Sequence, residues 1–236
     1  CTIWRYLMGL SHSPRIVTNN IRCCLDAGNS KSYSGTGTSW NDISGFNNNF
    51  TNSNVTYNAA GYFTYNGTNS QTIGGTPNSF SADNNSSSVG VWFRPHTVSP
   101  SANMAVFTDN FGPEYGIWVL TNGNVQAYAT GGSDTAALTA NEWVYFCFTV
   151  TSPAANSGLS YTINAYLNGV SLGAANTGTV GNGLNDWPIT LGYDSQNSAN
   201  AAHFDGDIAI VQFYQGILSA EEVLLNYNAH KSRFGI

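Results

Sequence analysis

Asp205 and Asp207 are the only two acidic residues of the chain spaced i, i+2, and Gly206 lies between them. On a strand such residues share one face. Paired carboxylates on one face are what glycoside hydrolysis needs, about 5 Å apart for retention or about 6.5–9.5 Å apart for inversion. The same pair can instead offer oxygens to Ca2+, which takes six to eight, backbone carbonyls included. A Ca2+ held at Asp205 and Asp207 is therefore one expectation. Asp26 and Asp194 are further loop-edge carboxylates. The plain structural alternative is a pair of turn aspartates that accept from nearby amides, with Gly206 allowing a tight bend.

A second chemistry is sugar recognition, which pairs exposed aromatic rings with Asp, Asn and Gly at loop tips. Two clusters have that make-up: Asp109, Asn110, Phe111 and Tyr115, and Tyr193 and Asp194 beside Asn197 and Asn200. Trp92, Trp118 and Trp143 fall in strand-like runs and are expected to fill the core. Nucleophilic catalysis has little to stand on. The histidines are His12, His96, His203 and His230, and no Gly-x-Ser-x-Gly elbow occurs. The Gly-rich stretches lack the Lys-Ser/Thr ending of a phosphate loop. Cys23 and Cys24 are neighbours in one extended run, so they point to opposite faces and at most one can meet Cys147. Buried free thiols are expected, and without a Cys-x-x-Cys no zinc site.

The elements that must position these groups read as strands. The chain has 236 residues, 42% hydrophobic but only 8% charged, against roughly 25% in ordinary domains. The net charge of -6 offers no basic patch for phosphates, so nucleic acid is not an expected partner. No run approaches the ~18 apolar residues of a membrane-spanning helix, so no membrane partner is expected. Residues 1–20 are aperiodic, interrupted by Pro14, and read as an arm that gains order on docking. Met8 opens a stretch that reads as a natural start, which makes residues 1–7 an upstream extension. Trp4 to Leu10 is too short an apolar run for a signal peptide.

Short strand signals then recur, over 21–26, 61–65, 71–74, 87–93, 104–108, 115–120, 125–130, 142–150, 160–167, 170–172, 189–192 and 205–214. Val89, Val91 and Phe93 alternate onto one face. Residues 142–150 are apolar on both faces, as in a central strand. Asn122-Gly123-Asn124 and Asn168-Gly169 are hairpin signals. Ser219 to Glu222 forms a capping box ahead of Val223, Leu224 and Tyr227, an apolar helical stripe, with His230 and Lys231 at its C-terminal end. The expected fold is all-β, a two-sheet antiparallel jelly-roll sandwich over residues 21–236 with one short C-terminal helix.

Four segments resemble the laminin-G-like, concanavalin A-like lectin/glucanase superfamily. They are Gly61–Gly67 (GYFTYNG), Ser88–Pro95 (SVGVWFRP), Asn141–Phe146 with Ala165–Val170 (NEWVYF, AYLNGV), and Phe204–Ile208 with Gln215–Val223 (FDGDI, QGILSAEEV). The superfamily's glucanase strand, Glu-x-Asp-x-Glu, is missing, so the resemblance implies a binding domain and not an enzyme. It makes Asp205 and Asp207 a structural or Ca2+ site. The segments Ser11–Val17, Cys24–Tyr33 and Asn226–Gly235 are similar to small laminin-G-like structural proteins of tailed bacteriophages. That resemblance implies a virion protein, a capsid decoration or tail or fibre part. Its partners would be other virion proteins and copies of itself, a trimer being compatible with it. A carbohydrate-binding lectin module, used for attachment, is the alternative it carries.

Overall fold

The computed structural model of the chain describes residues 15–74, 86–108, 116–129, 132–151, 159–173, 176–180, 188–194 and 201–236. In chain order the first strands are β1 (Ile21–Asp26), β2 (Ser39–Trp40), β3 (Phe50–Ser53), β4 (Thr56–Asn58), β5 (Tyr62–Asn66) and β6 (Gln71–Gly74). Next come β7 (Ser87–Pro95), β8 (Asn103–Thr108), β9 (Gly116–Val119), β10 (Asn124–Ala129), β11 (Gly132–Ala137) and β12 (Val144–Thr151). The last are β13 (Leu159–Leu167), β14 (Val170–Ser171), β15 (Asn176–Val180), β16 (Ile189–Leu191), β17 (Ala201–Ala202) and β18 (Asp205–Gln215). Helix α1 (Ala220–His230) and a 3-10 turn (Lys231–Phe234) follow.

These strands make two nine-stranded sheets. The first runs β14-β13-β12-β7-β18-β5-β4, with β1 on β18 and β15 on β13. The second runs β11-β10-β9-β8-β16-β6-β3-β2, with β17 on β8. Every described pairing is antiparallel except β17 with β8. This is the expected two-sheet sandwich with one C-terminal helix. Asn168 and Gly169 both take positive φ, 52° and 81°, and turn β13 into β14. Gly123, at φ 86°, closes the β9–β10 hairpin. β12 is central, between β7 and β13. Gly206, read from the sequence as a bend, lies inside the continuous strand β18, paired with Tyr65 and Pro95. No positive φ is needed there.

Alternation splits the central strands β7, β12 and β18 of the first sheet between two apolar layers. Val89, Val91 and Phe93 enter the core between the sheets, with Phe63, Phe146, Ile208 and Val211. The opposite face carries Trp92, Tyr145, Cys147, Ile210 and Tyr214, and α1 covers it. The helix is capped as its sequence requires. Ser219 Oγ accepts from the Glu222 N–H at 3.2 Å, and Glu222 Oε2 accepts from the Ser219 N–H at 2.8 Å. The buried stripe differs from the expected one. Val223 and Asn226 are buried, Tyr227 stacks on Trp92 at 5.6 Å, and Leu224 is 42% exposed. Asn226 is tolerated because its amide is spent: Oδ1 accepts from the Val17 N–H at 2.8 Å and Nδ2 donates to the Tyr214 hydroxyl at 3.1 Å. That hydroxyl donates to the Val17 carbonyl at 3.0 Å. Residues 15–20 thus lie against the chain's own outer core.

Cys23 enters the inner layer and Cys24 the outer one, and Cys23, Cys24 and Cys147 are free and buried. Burial lifts the thiols of Cys24 and Cys147 to about 12, so almost no thiolate forms at neutral pH. Iodoacetamide applied to the native protein, followed by peptide mass mapping, is expected to leave all three unmodified. Guanidinium chloride should expose them all; modification of Cys147 in the native state would contradict this packing.

Candidate functional site

One end of the sandwich gathers the chemistry-bearing side chains. On the outer face of the first sheet, Thr64, Asp207 and Arg94 sit side by side because β5, β18 and β7 are neighbours in register. Asp207 is 1% exposed. Its Oδ1 accepts from Thr64 Oγ1 at 2.6 Å. Its Oδ2 accepts from Arg94 Nε at 2.9 Å and Nη2 at 2.7 Å. The guanidinium is held from its other side by the rings of Trp143 and Tyr62, 5.0 and 5.3 Å away. His96 bridges the two aspartates, with Nδ1 2.9 Å from Asp205 Oδ1 and Nε2 3.1 Å from Asp207 Oδ2. The Asp205 side chain is 42% exposed.

Asp205 and Asp207 therefore do share a face, as their spacing requires. Their neighbours are a guanidinium, an imidazole and one hydroxyl, and add no further oxygen-rich ligand. A hard cation needs oxygens in number, and Arg94 already neutralises Asp207. This donor set does not fit Ca2+. Among the described residues no group of three or more His, Cys, Asp or Glu side chains is placed to hold a metal.

Around the corner, at the loop rim, Tyr193 and His203 stack with ring centres 4.1 Å apart and planes 10° apart. Both are half-buried. Tyr193 follows β16, and its carbonyl accepts from Thr108 Oγ1 at 3.2 Å. His203 precedes β18, and its Nδ1 lies 3.2 Å from the Ser70 carbonyl oxygen. Ser70 ends a turn organised by Asn66, whose Oδ1 accepts from the N–H groups of Thr68, Asn69 and Ser70. Asp194, expected beside Tyr193 at an exposed loop tip, is instead fully buried and so is not open to a sugar.

A family model described as the concanavalin A-like lectin/glucanases superfamily, Laminin_G_3, matches residues 65–224. The chain belongs to this family. No curated protein matches it. Among solved structures, the Trypanosoma rangeli sialidase in complex with 2,3-difluorosialic acid superposes with a TM-score of 0.70 at 13% identity, over 92% of this chain and 34% of that one. The receptor binding domain of botulinum neurotoxin D superposes with a TM-score of 0.63 at 15% identity, over 90% of this chain and 53% of that one. A complex of the serotype D ligand binding domain with N-acetylneuraminic acid gives 0.63, again at 15% identity, over 89% and 51%. The chain thus spans about a third of the sialidase and about half of the toxin chains. These likenesses establish a shared β-sandwich fold.

Within this laminin-G-like domain the structure brings Asp205 and Asp207 together with each other, and Tyr193 with His203. Asp109, Asn110, Phe111 and Tyr115 lie outside the described residues, as do Asn197 and Asn200. Asp26 is committed to the C-terminus, where Arg233 Nη1 donates to it at 2.6 Å. Thr64, Arg94, His96 and His203 were not singled out as site residues by sequence reasoning. Arg94 was in view, inside the Ser88–Pro95 motif. Its alternation with Phe93 places it on the outer face, and that was the available signal.

Proposed function

We propose that this laminin-G-like domain is a non-catalytic binding module that holds a glycan at the Tyr193–His203 rim. The observation that carries the reading is the half-buried, stacked ring pair at a loop edge. A pyranose has a C–H face and a periphery of hydroxyls, and a flat aromatic surface ringed by polar groups matches both. The sialidase and neurotoxin D chains, parts of which share this fold, form complexes with 2,3-difluorosialic acid and N-acetylneuraminic acid, which supports a glycan as the ligand class. The non-catalytic part rests on Asp207, which is buried and paired with Arg94, so the one i, i+2 carboxylate pair has no free partner for Asp205. The test is a glycan array with the wild type and Tyr193→Ala. The wild type is expected to bind, and the variant to lose affinity about thirtyfold, the value of a central aromatic contact. Silence of the wild type across the array would remove the reading.

A second reading is favoured by the apolar side chains left uncovered beside α1: Val170 is 67% exposed, and Leu224 and Leu225 are also exposed. Leu224 lies against Gly169, which joins the helix to the β13–β14 turn. In this reading the domain is a virion structural protein that contacts neighbouring virion proteins, or its own copies in a trimer, through that face. Imaging of native particles should then find the chain with α1 at an interface; particles without it would discard the reading.

A further inference from the structure

The last six residues are fastened to the first sheet by two side chains. The chain leaves α-helical geometry at His230, where φ is -125° and ψ -16°, and winds into the 3-10 turn. Residues 231–236 are bonded among themselves: the Ile236 N–H donates to the Lys231 carbonyl at 3.2 Å, and Gly235 closes the turn at φ 74°. Arg233 and Phe234 reach from this turn to the sheet. The Phe234 ring stacks on Trp92 at 4.4 Å and meets Trp143 at 4.6 Å. The Arg233 guanidinium donates to Asp26 Oδ1 at 2.6 Å and to the Gly61 carbonyl. Its socket exists because two glycines meet there. A Cβ on Gly28 would lie 2.6 Å from the guanidinium carbon, and one on Gly61 would lie 2.6 Å from Nη2.

His230 stands at the hinge of this turn. It is half-buried, and with Asp26 it lines a cavity of about 330 Å³ between β1, residues 15–18 and the end of α1. Among the described residues, β1 faces it with Asp26 and the neutral thiol of Cys24, residues 15–18 face it with Arg15, and the 3-10 turn with Arg233. Lys231 is turned onto the Tyr227 ring at 5.5 Å. The carboxylate in this set is already taken by Arg233. A proton on His230 therefore adds a cation beside Arg233 without adding an anion. Burial holds the imidazole below the ordinary histidine value of 6.5, while Asp26 pulls it up and Arg233 pushes it down. The docked turn thus takes up this proton less readily than an undocked one, whose imidazole is in water. Docking is complete above pH 6.5 and weakens as the pH falls through the depressed value.

We infer that residues 231–236 are an acid-released latch: protonated His230 repels Arg233, the Arg233–Asp26 pair gives way, and Phe234 withdraws from Trp92 and Trp143. The hinge is at His230, so the six residues leave together while α1 stays on the sheet through Val223, Asn226 and Tyr227. Release opens the Trp92 ring, wholly buried in the docked form, on the side that Phe234 covers, next to Trp143 and Tyr62.

The experiment is timed digestion of the whole chain, at about pH 7.5 and about pH 5, with a carboxypeptidase active at both, read by intact mass. Removal of Phe234 requires that its ring leave Trp92. Each rate is divided by that of a free peptide of residues 225–236 at the same pH. The normalised wild-type rate is expected to rise about threefold or more at the lower pH. His230→Gln, which has no proton to gain, should show one rate at both values. Gly28→Ala, whose methyl group pushes the guanidinium out of its socket, should raise the rate about tenfold at both, the worth of one hydrogen bond. Equal wild-type rates at the two pH values would overturn acid release. An acid response kept in His230→Gln would assign it to another group and overturn the role of His230. A Gly28→Ala chain as resistant as the wild type would overturn the socket. The wild-type comparison and the Gly28→Ala arm stand even where His230→Gln does not fold.

Discussion

Asp207→Ala is expected to lower stability by about 3 kcal/mol, toward the low end of the cost of breaking a buried charge pair. The carboxylate is 1% exposed and accepts from Thr64 and twice from Arg94. Its removal strands a guanidinium between the Trp143 and Tyr62 rings and leaves Thr64 without its acceptor. Arg94 keeps 26% of its side chain open to solvent, so it can partly turn to water, which sets the value below the top of the range. For a chain of this size that means a melting temperature lower by roughly 6–12 °C. Asp205→Ala is the control. Its carboxylate is 42% exposed, and exposed ion pairs contribute about 0–1 kcal/mol. Equal losses in the two variants, measured by urea denaturation, would mean that Asp207 is not the centre of the network. The double variant Arg94→Met, Asp207→Leu should lose less than Asp207→Ala alone, because no charge is then left unpaired.

The same carboxylate shows where sequence reading stops. Two aspartates at i, i+2 fix a shared face, and the structure agrees. What they face depends on the neighbouring strand. Arg94 lies 113 residues away from Asp207, and its strand becomes a neighbour only through the crossover order β12-β7-β18-β5. One sequence reports alternation within strands and not which strands pair. Hence Val89, Val91 and Phe93 were legible as core, while Thr64, Arg94 and His96 were not legible as partners. Turn chemistry is local, so Asn168-Gly169 and the Ser219 box were readable in full. Asn226 was hidden for the opposite reason. A polar residue in a helical stripe reads as solvent-facing until Val17 and Tyr214, from two distant segments, arrive to satisfy it. Tyr193 stood out by its type and loop position, but its stacking partner His203 lies ten residues on and was not legible as its neighbour.

Gly206→Ala is the second change with a large expected effect, about 3 kcal/mol, and its cause is steric. The glycine sits mid-strand between the two aspartates, and its backbone is of the ordinary extended kind. A Cβ there would overlap the backbone carbonyl oxygen of Arg94 and the Phe204 ring, whose Cε1 would lie 2.7 Å away. Neither neighbour can yield cheaply. The carbonyl belongs to β7, and Phe204 is fully buried between Tyr65 and Phe93, with ring centres at 6.1 and 6.0 Å. Overpacking of a closed core costs about 1–3 kcal/mol, and backbone overlap puts this case at the upper end. Gly37→Ala is the contrast. At φ 85° it is strained, but nothing lies within 4 Å of the added carbon, so it should cost only about 1–2 kcal/mol. The clash also predicts a specific secondary effect. To make room, β18 must move away from β7, which lengthens the Asp207–Arg94 contact, so the Gly206→Ala and Asp207→Ala losses should be less than additive. A Gly206→Ala protein that melts with the wild type would show that β18 and β7 do not approach this closely, and would remove the basis for the charge network at this end of the sandwich.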